Sequence, residues 1–170
     1  SFFPIREDIE RYAIGSAVLQ LTQEAAQEGL PNETLFSLVY HTLSFLAYGE
    51  SDPRDLFLCF LARLLNAVGY RPAITACAQC GRDVRVDAHV YYAARSGGTV
   101  CAACRNGARE VSKTALEAMR RMLLLSDSEM QRVRLTAPLR KEIEAMLLEQ
   151  TAHSLEYGST ALAFYRDLAN

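Results

Sequence analysis

The sequence predicts a mainly α chain, a bundle of helices interrupted near its middle by a small module of strands and turns. Three observations predict it. Apolar residues recur at three- and four-residue spacing over most of the length. Helix stop and start residues separate those stretches. Residues 73–107 lose the helical period and carry two Cys-x-x-Cys pairs. The chain has 170 residues, half of them apolar, which suits one helical domain over 1–170 with an insertion at about 73–107.

The first helix is expected over about 5–28, carrying Ile9, Tyr12, Ala13, Ser16, Ala17, Leu19 and Leu21, with Gly29 as its stop. Pro31-Asn32 restarts the chain, with Asn32 as N-cap. Leu35, Phe36, Leu38, Val39, Thr42, Leu43, Phe45 and Leu46 follow, up to Gly49. Asp52 caps a third helix and Pro53 takes its first position, where a missing N–H costs nothing. Leu56, Phe57, Phe60, Leu61, Leu64, Leu65 and Val68 then form one wide apolar face ended by Gly69.

In the central module Val84-Arg85-Val86 and part of Ala88–Ala93 alternate, Gly97-Gly98 punctuates, and Thr99-Val100 follows, so short strands and turns are expected. Ser112 caps a helix carrying Ala115, Leu116, Met119, Met122 and Leu123. Ser126 to Glu129 has capping-box spacing and opens a short helix. Thr136-Ala137-Pro138 opens the last and longest helix. Its buried stripe is drawn from Leu139, Ile143, Met146, Leu147, Gln150, Leu155, Ala161, Leu162 and Phe164, and Gly158 is a place where it bends or breaks.

Several function classes are excluded. No apolar run approaches the roughly 18–20 residues of a membrane span. There is no Gly-rich phosphate loop, no G-x-S-x-G and no H-E-x-x-H. His41 and His153 have no nearby nucleophile, and Glu7-Asp8 and Glu142/Glu144 read as solvated faces, so no enzyme is expected. Ser1 is not an initiator Met, and Ser-Phe-Phe-Pro is not the start of a signal peptide, so a piece of a longer protein is expected.

The net charge of -2 excludes only a uniformly basic chain, because it is an average. Residues 1–70 carry 4 basic and 9 acidic side chains, 71–141 carry 13 and 6, and 142–170 carry 1 and 5. A basic island between acidic flanks points to a polyanion or an acidic partner.

The chemistry lies in the cysteines. Cys77-Ala-Gln-Cys80-Gly81 and Cys101-Ala-Ala-Cys104 stand 20 residues apart, at the long edge of zinc-ribbon spacing. Each C-x-x-C turn brings two thiolates to one ion, and Gly81 eases the first turn. Two such turns complete a tetrahedral sulfur shell. Soft thiolates select zinc or iron, and so short a hairpin needs a metal to fold. Four protein ligands leave no open position, so a structural zinc is expected at Cys77, Cys80, Cys101 and Cys104. His89 is then an exposed hairpin residue, and the fifth cysteine, Cys59, a small core residue.

In order along the chain stand Phe3-Pro4 and a Glu/Arg-rich helix, Asn32 to Phe36, Leu56 to Gly69 with Tyr70-Arg71-Pro72, and Cys77-x-x-Cys80-Gly81. Gly97-Gly98-Thr99-Val100-Cys101-x-x-Cys104, the Ser112 helix and Tyr157-Gly158-Ser159 to Phe164-Tyr165 follow. This ordered set resembles the C-terminal helical and zinc-ribbon region of the RecO family of bacterial recombination mediators, over essentially the whole chain. Family members begin with an oligonucleotide-binding barrel that this sequence lacks, which weakens the DNA binding expected of this chain alone.

The resemblance implies a non-enzymatic protein of the bacterial cytoplasm and nucleoid, acting in DNA repair and homologous recombination. It implies binding of single- and double-stranded DNA and annealing of complementary strands. It also implies, with RecR, loading of RecA onto DNA coated by the single-strand-binding protein, whose acidic, Phe-ended C-terminal tail the helical part captures. No membrane and no small-molecule substrate enter this reading. Candidate contacts to DNA or an acidic partner are Arg105, Arg109, Lys113, Arg120, Arg121, Arg132 and Arg140, with Arg134 and Lys141 beside them. Tyr91 and Tyr92 are expected to pack rather than stack on bases. The alternative is a zinc-stabilised helical scaffold that acts only through protein contacts.

Overall fold

A computed structural model describes residues 1–27, 32–155 and 158–169. Its helices are α1 (Ile9–Gln27), α2 (Asn32–Tyr48), α3 (Pro53–Ala67), α4 (Lys113–Leu124), α5 (Ala137–Ser154) and α6 (Gly158–Ala169). Between α3 and α4 lie the strands β1 (Val90–Ala93), β2 (Gly98–Val100) and β3 (Arg109–Val111). The chain is mainly α, as expected.

Helix α3 is the axis of the bundle. The Asp52 side chain accepts the Arg54 N–H at 2.8 Å, and Pro53 occupies the first turn. Leu56 to Ala62 are buried without interruption, as are Leu64 and Leu65, because α1, α2, α4 and α5 surround the helix. Cys59 is buried among them. Helix α4 buries the five positions its pattern named, Ala115, Leu116, Met119, Met122 and Leu123, and the Ser112 hydroxyl accepts the Ala115 N–H at 3.0 Å. Ser126 and Glu129 form the capping box of a 3-10 turn over Asp127–Arg132.

Helix α1 departs from its pattern. It begins at Ile9, after a 3-10 turn over Phe3–Glu7, and Asp8 caps it by accepting the Glu10 and Arg11 N–H groups at 2.9 and 3.1 Å. Ile9, Tyr12 and Leu19 are exposed, while Ala13, Ile14, Ala17, Val18, Leu21 and Ala25 are buried. The buried face mixes alanines with Ile14, Val18 and Leu21 because α2, α3 and α6 all pack on that side of α1, which decides the face over the size of any one side chain. In α2 the buried positions are Leu35, Leu38, Thr42, Leu43 and Leu46, and Phe36 is exposed. Gly29 and Pro31 lie outside the described residues, as does the side chain of Asn32.

The expected final helix is two helices. Helix α5 ends at Ser154, with the Leu155 N–H donating to the Thr151 carbonyl, and α6 packs back on α1 and α5. Ile143, Met146, Leu147, Gln150, Leu155, Ala161 and Leu162 are buried, and Tyr165 joins them with its ring 4.7 Å from that of Phe57. Leu139 is partly buried, and the side chains of Phe164 and Gly158 lie outside the described residues. The acidic residues of α5 are not the free solvated face expected. Glu142 accepts the Ser112 N–H at 2.5 Å and its hydroxyl at 2.8 Å, and Glu144 accepts the Tyr165 hydroxyl.

The sheet order is β2-β1-β3, all antiparallel, with Tyr91 opposite Val100 and Glu110. Strand β3 follows the stretch in which strands were expected. Val84-Arg85-Val86 is a turn, not a strand. Asp83 accepts the Arg85 N–H at 2.8 Å and pairs with its guanidinium, and this local bonding outcompetes a ladder. Gly98 is held against Ala73, whose N–H donates to Gly97 O at 2.9 Å and whose carbonyl accepts the Thr99 N–H at 2.8 Å. A Cβ on Gly98 would lie 2.3 Å from the Ala73 oxygen, so only glycine fits.

One apolar cluster runs from the helices into the module, including Tyr91, Tyr92, Val100, Cys77 and Cys101. Gln150 of α5 ties the two: its amide donates to Tyr70 O at 3.1 Å and its oxygen accepts the Tyr92 hydroxyl. Among the described residues no helix is long and apolar enough to cross a membrane.

Candidate metal centre and its basic surroundings

The first cysteine turn is clamped from both sides. The Cys77 N–H donates to Arg82 O, and the Gly81 N–H to Cys77 O, each at 2.8 Å. The Ala78 N–H reaches Thr99 O on β2 at 2.7 Å. Gly81 sits at φ +79°, the left-handed region expected just past the second thiol. The second turn is a 3-10 turn over Ala102–Cys104, closed by the Cys104 N–H on Cys101 O at 3.1 Å.

These clamps bring the sulfurs of Cys77, Cys80, Cys101 and Cys104 within 4.8 Å of one another. Cys80 Sγ lies 3.8 Å from Cys101 Sγ. A tetrahedron with metal–sulfur bonds of ~2.3 Å has edges of ~3.8 Å, so the spacing suits a tetrahedral ion. Cys77 Sγ accepts N–H bonds from Cys80 at 3.5 Å and Cys101 at 3.4 Å. Burial pushes the Cys77 thiol up, but these N–H groups outweigh it and hold it down at about 6. Cys101 is also lowered: burial opposes ionisation, and bonds from the Cys104 backbone and side chain overcome it. Cys104 is pushed up to about 12 by its hydrogen bond to Cys101 and by burial. The cluster could hold one soft metal ion and, with four ligands, leaves no position for a substrate.

His89 is exposed, with Nδ1 2.5 Å from Glu110, and stands apart from the cluster. Burial raises the Cys59 thiol to about 12, against the pull of Arg63. Tyr91 and Tyr92 are both buried, and the Arg105 guanidinium covers the Tyr91 ring at 4.5 Å.

The basic candidates fall in different settings. Arg105 and Arg109 lie on the module; Arg109, on β3, is exposed with no partner among the described residues. Lys113, Arg121 and Arg132 line one groove between α4 and the start of α5, together with Arg134. Arg120 faces a neighbouring hollow instead. It binds Glu117 at 2.7 Å, which, with Arg121 at 3.4 Å, holds that carboxyl down at about 2. Arg132 pairs with Glu129 at 2.8 Å. Arg140 is internal, 2.7 Å from Asp55 and 3.3 Å from Asp52. Lys141 is exposed without a partner among the described residues.

The groove measures ≈ 1020 Å³. Its apolar lining is Leu124, Leu125, Val133, Leu135 and Leu139, residues the charge pattern did not single out. The alternation Val133-Arg134-Leu135 beside two leucines was the available signal.

The family described as Recombination protein O C terminal matches residues 6–159. The chain is also similar to proteins named DNA repair protein RecO. That of Desulforamulus reducens is 29% identical over 158 residues, covering 91% of this chain and 60% of that protein. That of Symbiobacterium thermophilum is 32% identical over 154 residues, covering 86% and 60%. That of a Roseiflexus species is 29% identical over 171 positions, covering 98% and 59%. The chain thus spans about 60% of the length of these relatives. With the helical body, the four-cysteine cluster and a match over most of its residues, this chain belongs to the Recombination protein O C-terminal family.

Proposed function

We propose that this chain is the partner-binding part of a DNA repair and recombination mediator rather than an enzyme. It is one helical domain with a zinc ribbon inserted at about 73–107. It acts in the bacterial cytoplasm at the nucleoid, contacts single- and double-stranded DNA, and engages RecR. By capturing the acidic C-terminal tail of the single-strand-binding protein it supports strand annealing and RecA loading. The relatives' name, DNA repair protein, supports the setting. The cysteines hold zinc as a brace, and the exposed Arg109, with Arg105, offers phosphate contacts on the ribbon.

The groove between α4 and α5 carries the reading. Its leucine and valine lining suits an aromatic anchor, and four cations, Lys113, Arg121, Arg132 and Arg134, outnumber two carboxylates, Glu117 and Glu129, on its walls. A short peptide with acidic residues and a terminal Phe matches both features. Arg140 is spent inside the fold and is left out of this surface.

The test is a calorimetric titration with such a peptide. Arg121→Glu with Arg132→Glu should weaken it by roughly tenfold or more, as should replacing the peptide's Phe by Ala. Unchanged affinity in both cases would remove the groove from the mechanism. A chain that binds neither peptide nor DNA, even within the full-length protein, would be the zinc-braced scaffold instead.

A further inference from the structure

A second cavity, of ≈ 500 Å³, lies where the end of α3, the β1–β2 turn and the end of α5 meet. Arg71, Arg95 and His153 line it together with Ser96 and Ser154, and among the described residues no carboxylate does. Arg95 and His153 are exposed and have no hydrogen-bond or ion-pair partner among the described residues. Arg71 gives one guanidinium nitrogen to Asn66 Oδ1 at 3.1 Å, and the rest of its fork is unspent. The floor is set by Gln150, whose amide holds Tyr70 O and Gly97 O at 3.1 and 3.5 Å.

The competing role for these cations is to neutralise the C-terminal ends of α3 and α5. Two facts discount it. The last carbonyls are already served: Leu64, Leu65 and Asn66 accept from the N–H groups of Val68, Tyr70 and Gly69, and Thr151 from Leu155. Each helix end also contributes only ~−0.5 charge, so two arginines leave the site positive before His153 is counted. The peptide groove differs, since Glu117 and Glu129 already occupy part of its cation capacity.

We infer that this cavity is a seat for a phosphate group of a nucleic-acid strand, gripped by Arg71 and Arg95, with His153 and the two serines as further donors. Flexible cations around an open hollow, with hydroxyls between them, match the demands of a phosphodiester. The inference rests on the proposed DNA contact and gives it a place separate from the peptide groove.

The experiment measures binding of a single-stranded oligonucleotide to the 170-residue chain across a salt series, for the unaltered chain, Arg95→Gln, and Arg71→Gln with Arg95→Gln. The seat neutralises one phosphate, so losing both arginines should make the slope of log affinity against log salt shallower by about 0.7, with Arg95→Gln between that and the unaltered chain. Affinity for the acidic peptide should not change. Arg95 has no internal partner, so the single variant reports on binding without disturbing the fold. If the unaltered chain binds DNA and both variants match it in affinity and slope, the seat is wrong and the DNA reading stands. If neither the unaltered chain nor the full-length protein binds the oligonucleotide, both fall. In a parallel arm, inorganic phosphate should shift the His153 ring resonances and compete with the oligonucleotide. Phosphate binding without oligonucleotide binding would overturn the nucleic-acid assignment in favour of a free anion.

Discussion

The Arg140 guanidinium donates to Asp55 at 2.7 Å, and Asp55 is 2% exposed in the first turn of α3. The other Asp55 oxygen accepts the Leu135 N–H at 3.2 Å, and Arg140 also reaches Asp52 and the Leu135 carbonyl. The start of α3 and the start of α5 are thereby pinned together. Removing one partner strands a buried charge, so Arg140→Ala should destabilise the chain by about 3 kcal/mol. Arg132→Ala, at a side chain 72% exposed, should cost less than about 1 kcal/mol. Urea unfolding of the two variants checks the contrast, and equal midpoints would refute it.

Gly98→Ala should be poorly tolerated. The added Cβ would meet backbone atoms of Ala73 at 2.3 to 2.8 Å, and backbone has no rotamer by which to yield. We expect a loss of about 2–4 kcal/mol, with the Ala73 bridge broken first. Hydrogen exchange at the Thr99 amide, which donates to Ala73, should accelerate in the variant. Unaltered protection there would show that the approach is not needed.

Zinc removal should loosen the module before the helices. Mass spectrometry of the native chain should find one zinc per molecule, and a chelator should lower the melting temperature. Cys101→Ser should do the same, because Cys101 is buried and its N–H serves Cys77. The Tyr91 and Tyr92 near-ultraviolet dichroism should fade while helical dichroism persists. A metal-free chain with unchanged melting would refute the brace.

Acid should act through Asp127. Burial pushes its carboxyl up, but the Ser37 hydroxyl at 2.6 Å and the Arg63 guanidinium outweigh this and hold it below the usual range. A depressed folded value means that the stabilisation is present above the unfolded value of about 3.9 and is lost as pH falls through the folded one. Stability of the unaltered chain should therefore drop below about pH 4 more steeply than that of Asp127→Asn. Parallel pH curves for the two would remove Asp127 from the acid response.

The elements legible in the sequence were those specified by neighbours along the chain. The caps at Asp52 and Ser112, the seamless apolar run of α3, and the four-cysteine spacing all depend on contacts within a few residues, or on ligand types that one ion demands. The same locality explains one error. Val84-Arg85-Val86 alternates like a strand, yet Asp83 captures its backbone in a turn.

What tertiary structure decided was which chemically identical side chains are available. Arg132 and Arg140 read alike in sequence, but one is exposed beside a groove and the other is locked against Asp55. In α1 Ile9, Tyr12 and Leu19 face solvent while Ala13, Ile14, Ala17, Val18, Leu21 and Ala25 face the core, because α2, α3 and α6 close on that side. The basic island was visible as a count of charges; its division among a ribbon surface, the groove between α4 and α5, and an internal ion pair was not. Burial and pairing are set by residues far apart in the chain, Asp55 with Arg140 and Tyr92 with Gln150, and no local spacing encodes them.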